Sequence, residues 1–344
     1  MALRVLLAGL EKRAPWLGAG RLMLKHVGFT THRGYKLTIE AALEEVRDET
    51  REQHLAKLMT EHAVAGEKLV QIVKLEQGER AGVLAWIRAK RKTANVLTEP
   101  FPSIAAESEL RAFSLSEPTS LGSISLEDGS AAGYTAVRSY LDRIEIPVAN
   151  LRAGLNDGFE HVYAVKRVFR QTIDAIWLPA GRDFVCLIAD LPLGVPSGFA
   201  RDSQDYLMAQ LRRHLGRALV PINLWPAIDG LYKSAEGRLV DHGFVNNEDA
   251  VKSHTARRGG RSLRDDPYDR AGAQAVGEAL LTYKVAVAWA RPINGATKAQ
   301  PEVILPGTAQ MLSSRKLTHF IARNCISSRD LSAVTSRIIQ HIDV

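Results

Sequence analysis

The stretch TIDAIWLPAGRDFVCLIADLP (172–192) constrains the fold more than any other part of the chain. Two apolar runs flank a Pro-Ala-Gly turn, and a connection that short joins neighbouring strands only when they run antiparallel. The same grammar recurs downstream. NLWPAIDGLYKSAEGRLVDHGFV (223–245) reads as two short strands about the turn SAEG. LLTYKVAVAWARP (280–292) and PEVILP (301–306) read as two more across a polar loop. Between the first two pairs, FARDSQDYLMAQLRRHLGR (199–217) places Tyr206, Leu207, Leu211 and Leu215 on one side of a helix. SSRDLSAVTSRIIQHI (327–342) closes the chain as a helix, opened by Ser327 with Asp330 three residues on. Hairpin, helix, hairpin, long loop, hairpin, helix fits an antiparallel sheet with helices on one face.

The first hundred residues have a different texture. TIEAALEEVRDETREQHLAKLMTEH (38–62) has Ile39, Leu43, Val46, Leu55, Leu58 and Met59 at helical spacing, with Thr38 as N-cap before an acidic first turn. AGVLAWIRAKRK (81–92) is a second helix. Residues 99–133 are rich in Ser, Pro, Gly and acids; they read as a connector or exposed loop region, with short edge strands such as GSISL as the alternative. The expectation is therefore an α+β chain: a mainly helical region over 1–98, a connector over 99–133, and an α+β domain over 134–344 with a long basic loop.

No run approaches eighteen apolar residues, so no membrane span and no membrane partner are expected. The N-terminus MALRVLLAGLEKRAPWLGAGRLMLKH, basic with Glu11 as its one acid, reads as an amphipathic segment covering the core; a transit peptide is the rival reading. Without a recognisable secretory signal, and with only Cys186 and Cys325, a reducing cytoplasmic setting is expected. Cys186 sits in FVCLIAD and reads as a buried thiol.

Charge is blocked rather than scattered. The chain carries net +7; residues 1–36 and 80–98 hold net +6 and +5, while 37–79 and 99–160 hold net −5 and −6. Nucleic acid is the partner such blocks favour, most simply through phosphate contacts within a larger nucleoprotein assembly. Protein partners, including identical copies whose acidic and basic segments meet, are the other class. In KSHTARRGGRSLRDDPYDR (252–270), Lys252, Arg257, Arg258, Arg261, Arg264 and Arg270 surround Gly259–Gly260. Guanidinium forks match phosphate oxygens, and glycines let backbone approach a ligand. Arg88, Lys90, Arg91 and Lys92 follow Trp86 at the end of the second helix, where an indole could stack on a base. HVYAVKRVFR (161–170) resembles a strand with one basic edge formed by Lys166, Arg167 and Arg170.

Most familiar catalytic signatures are missing: GxxxxGK[ST], GxGxxG, HExxH, an EF-hand loop, GxSxG and zinc-spaced cysteines do not occur. No cofactor is expected. The enzymatic alternative is a metal-dependent nuclease or phosphoesterase, the one case that calls for Mg2+ or Mn2+. There Asp190, at the end of FVCLIAD, and either Asp229 or Asp241 would be ligands, with His242 as acid–base group. His54 and His62 lie two turns apart on the first helix, too far to share one metal.

Overall fold

The structure is a computed structural model that describes residues 2–342 except 47, 114–116, 148–160, 193, 247–250, 257–260, 278–279 and 295–296. Its centre is a ten-stranded sheet in which neighbouring strands run antiparallel throughout. In chain order its strands are β1 (Lys68–Lys74), β2 (Thr119–Ser125), β3 (Ser130–Ile146), β4 (Val162–Leu178), β5 (Phe184–Asp190), β6 (Arg238–Val245), β7 (Val251–Thr255), β8 (Leu281–Ala288), β11 (Glu302–Leu305) and β12 (Phe320–Arg323). Across the sheet the order is β2-β3-β4-β5-β1-β12-β11-β8-β6-β7, and β9 (Arg291–Asn294) and β10 (Thr297–Ala299) form a separate ribbon. The hairpins expected at 172–192 and across 280–306 are present. So are the α+β class and the helical N-terminal region.

Helices cover both faces of the sheet rather than one, because strand residues alternate and both sets are apolar. On β5, Val185 and Leu187 pack against α5 (Glu79–Ala89) and α7 (Ser197–Leu215), through Val83, Ile87, Leu207 and Leu211. Cys186 and Ile188, on the other face, share a core with α8 (Trp225–Lys233), α10 (Ser328–Ile339) and the end of α4 (Glu49–Ala65). Both cysteines are buried free thiols, pushed up by burial. A second core joins α1 (Leu3–Arg13), α2 (Arg21–Val27) and α4 through Leu6, Leu7, Leu10, Met23, Leu24, Leu55 and Met59. The basic N-terminus thus lies over its own core.

All three sequence segments feed the one sheet. The 1–98 segment supplies β1, hydrogen-bonded between β5 and β12 near the middle. The 99–133 segment holds α6 (Glu107–Ala112), the edge strand β2 and the start of β3.

Three local expectations change. The helix expected over 38–62 is two: α3 (Tyr35–Glu44) and α4. Asp48 restarts the helix by accepting from the Thr50 and Arg51 amides, while Thr38 is buried inside α3 and bonds back to the Gly34 carbonyl. The first strand expected in 223–245 is α8, with Pro in its first turn and Trp225, Ile228 and Leu231 buried at helical spacing. The loop 252–270 contains the end of β7, a 3-10 turn at Leu263–Asp265 and the start of α9 (Pro267–Val276).

β3 and β4 pair from Ser130↔Leu178 to Ile146↔Val162. Their inner halves are buried, whereas beyond Arg138↔Arg170 the hairpin is mostly exposed and, among the described residues, has no third strand. This two-stranded arm extends roughly 30 Å at about 3.3 Å per residue.

Candidate functional site

The expected basic residues fall at opposite edges of the sheet. Lys252 lies on β7, one edge, and Lys92 bridges Leu121 of β2, the other edge. Nine strand spacings separate the edges, about 40 Å. The two blocks are not one surface.

At the β7 edge, Arg257, Arg258, Gly259 and Gly260 lie outside the described residues. Lys252 and Arg261 are exposed. Arg264 is committed elsewhere. Its guanidinium donates to the carbonyls of Leu231 at 2.8 Å, Gly237 at 2.7 Å and Tyr232 at 3.4 Å, closing the end of α8. Those bonds use three of its five N–H donors and hold the guanidinium against the end of α8.

At the β2 edge the cations are free to meet a ligand. α5 and α7 pack side by side and both end in basic residues, which the negative C-terminal end of a helix favours. Arg88, Arg91, Lys92 and Arg213 are exposed, and among the described residues no carboxylate pairs with any of them. Arg212 and Arg217 are occupied, by the Leu219 carbonyl and by Glu79. Trp86 stacks on His214 at 4.8 Å, and Lys90 Nζ lies 4.3 Å from the indole centroid. The indole is therefore taken up by Lys90 and His214, whereas the sequence cast it as an open stacking surface. Partial burial, and then Arg213, lower the pKa of Lys90. Arg213 and His214 escaped the sequence reading, although RRHLGR at the end of a predicted helix carries the signal.

Asp190, Asp229 and Asp241 do not share a site. Asp229 pairs with Lys233 one turn along α8 at 2.6 Å, and Asp241 on β6 pairs with Lys284 at 2.5 Å. His242 is buried in an aromatic stack with Tyr232 and Phe244, centroids 5.4 and 5.2 Å away. Among the described residues no group of three His, Cys, Asp or Glu could hold a metal ion.

Asp190 is instead the anionic member of a buried cluster. Its Oδ1 accepts from Lys68 Nζ at 2.7 Å; its Oδ2 accepts from Arg13 at 3.0 Å and from the Ile173 amide at 3.0 Å. Burial works against its charge, but Lys68 and Arg13 outweigh burial and hold the carboxyl below the usual carboxylate range. His62, from α4, lies nearby with Nδ1 2.9 Å from the Cys325 carbonyl oxygen; burial lowers its pKa to about 4. Across the sheet, Asp174 accepts from the Asp190 amide and from Ser203, which accepts from Arg138. The cluster borders a cavity of about 230 Å³.

No protein-family model matches the sequence, and no curated protein or solved structure matches it either.

Proposed function

We propose that this protein binds nucleic acid through its sugar-phosphate backbone, with the α5–α7 corner as the contact surface. The observation that carries this reading is the contact between the ends of α5 and α7, where Trp86 stacks on His214 and Lys90 lies over Trp86, at a corner whose Arg88, Arg91, Lys92 and Arg213 are exposed and, among the described residues, paired with no carboxylate. Exposed cations kept together against their mutual repulsion suit a polyanion, and with the indole occupied they favour backbone over base contacts. The test is fluorescence anisotropy with single- and double-stranded DNA and RNA of about 25 nucleotides at several salt concentrations. About four phosphate contacts give a slope of log K against log salt near −3 to −4. Arg88→Ala, Arg91→Ala, Lys92→Ala and Arg213→Ala combined should flatten that slope. Wild-type affinity in this variant would sink the reading.

A second reading rests on the arm. An isolated two-stranded hairpin is marginally stable in water, yet this one exposes Leu141, Ile144, Tyr163 and Val165 beside Arg143, Lys166 and Arg167. The α3 region presents the complement: Leu37, Leu43 and Val46 are exposed beside Glu40, Glu44 and Glu49. An arm of one copy seated on the α3 patch of the next makes a head-to-tail contact between identical chains. Size-exclusion with light scattering tests it. The oligomer should weaken with salt and with Leu141→Ser/Val165→Ser; a monomer under all conditions would remove the reading.

A further inference from the structure

The two edges of the central sheet are finished differently. Along β2 the segment 90–93 lies as a short cover: Lys92 bridges Leu121, the Thr93 amide donates to the Ser120 carbonyl, and the Ser123 amide donates to the Lys90 carbonyl. Nothing among the described residues does this for β7, whose register with β6 runs without a bulge from Asp241↔Thr255 to Val245↔Val251. The strand carries no proline either. An open edge with neither device is a template for a further strand.

Which groups face outward follows from the ladder. The Ala256 amide donates to the Val240 carbonyl at 2.7 Å, so His254 and Lys252, two and four residues back, also turn their backbone groups to β6. Val251, Ser253 and Thr255 therefore turn their amides and carbonyls away from the sheet. On one face of this edge Val251 lies in a row with Val245 and Leu281, and Val251 and Leu281 are 59% and 44% exposed. On the other face His254 packs against Tyr268 of α9, which is 71% exposed.

The strand's own sequence suits a copy of itself. VKSHT set antiparallel against VKSHT about Ser253 pairs Val251 with Thr255, Lys252 with His254, and Ser253 with Ser253. Outward-facing residues must meet outward-facing residues, so the register can shift only in steps that keep them together. One neighbouring register sets Lys252 against Lys252, with like charges directly opposed. The other sets His254 against His254 and leaves Val251 beyond the end of the strand. Only the Ser253-centred register uses all five residues and keeps the lysines apart. It also brings the second copy's lysine at 252 beside His254 and Tyr268, where a ring face attracts an ammonium.

We propose that β7 pairs antiparallel with β7 of a second copy of this chain, about a two-fold axis at Ser253. The two ten-stranded sheets then run on as one, and the cover on each β2 edge stops growth at two copies. The interface lies at the edge opposite the α5–α7 corner and is independent of the nucleic-acid reading. It also differs from the contact between the arm and α3, which runs head to tail.

Cysteine cross-linking and light scattering test this. Both native cysteines are buried, so an introduced exposed thiol is the one that oxidises. Opposed residues of a hydrogen-bonded antiparallel pair have Cα atoms about 5.5 Å apart, within disulfide reach. Ser253→Cys should therefore form a covalent dimer under mild oxidation. Lys252→Cys sets the two thiols two residues out of register, with Cα atoms about 8 Å apart, and should cross-link about tenfold more slowly. The unsubstituted protein should scatter as a dimer. Ser253→Pro, which removes an outward amide and no bond to β6, should scatter as a monomer. If that variant does not fold by circular dichroism, the cross-linking pair decides. Leu141→Ser/Val165→Ser should stay dimeric, which separates this contact from the arm. A monomer at every concentration, faster cross-linking through Lys252→Cys, a dimer that survives Ser253→Pro, or its loss in the arm variant would overturn the proposal.

Discussion

Lys68 Nζ lies 2.7 Å from Asp190 Oδ1, with the two side chains 1% and 5% exposed. Asp190 also pairs with Arg13, so removing the carboxylate strands two cations in the interior. Asp190→Leu is expected to cost about 3–5 kcal/mol in urea unfolding. Asp190→Leu with Lys68→Met should recover part of that loss, since only Arg13, the most exposed of the three, then keeps an unmatched charge. If the double variant is the less stable, packing rather than charge dominates the site.

His62 makes stability depend on pH in a stated direction. Its folded pKa is about 4, against the ordinary 6.5, because burial disfavours the imidazolium. Above pH 6.5 the ring is neutral in both states and contributes nothing to the slope. Below 6.5 the unfolded chain takes up a proton that the folded chain refuses until about pH 4. Stability should therefore fall by about 2 kcal/mol between pH 7 and pH 5 from this residue alone. Urea midpoints across that range, compared with His62→Gln, isolate the effect; parallel curves would show that His62 is not its source.

Arg264 should behave as a structural residue. Arg264→Ala leaves the Leu231, Tyr232 and Gly237 carbonyls without their donor, at an expected cost of about 2 kcal/mol. Nucleic-acid affinity of the folded variant should stay at the wild-type value. A drop in affinity without loss of stability would return Arg264 to the binding surface.

Lys90 separates stability from binding. Its ammonium is partly desolvated over Trp86 and repelled by Arg213. Lys90→Met keeps the packing and removes that repulsion, so thermal stability should hold or rise slightly. One fewer phosphate contact should reduce the salt slope by about 0.9. Anisotropy and thermal melts on the same preparation give both numbers.

What the sequence made legible was local. The β4–β5 turn, the amphipathic face of α7 and the Ser327–Asp330 cap of α10 are each written within twenty-odd residues, and each is present. KLVQIVK gave no such signal: a short apolar run inside a helical region, it becomes a central strand only through partners at 184–190 and 320–322. The same holds for the ion cluster. Asp190 stood out at its strand end, but Lys68 is 122 and Arg13 177 residues away, and only the folded sheet shows that cations rather than a metal answer its charge. NLWPAIDGLYK misled because its helical period is short and interrupted by Pro and Gly. The α5–α7 corner was half visible, since α7 contributes cations whose neighbours on α5 no linear scan can reveal.

The position of β1 also sets an order of events during synthesis. Lys68 pairs with Ala322 on one side and with Asp190 on the other, so a strand made early waits for nearly the whole chain before both of its edges are covered. A ribosome-bound fragment ending before β12 would present an open β1 edge flanked by a finished β2–β5 sheet, a template for pairing with other nascent chains. The contact that completes the centre spans about 250 residues, and such long-range closure is slow. Newly made protein should therefore rely on holdase chaperones longest at its final strand, and loss of residues 320–323 should yield aggregates rather than a shortened soluble fold.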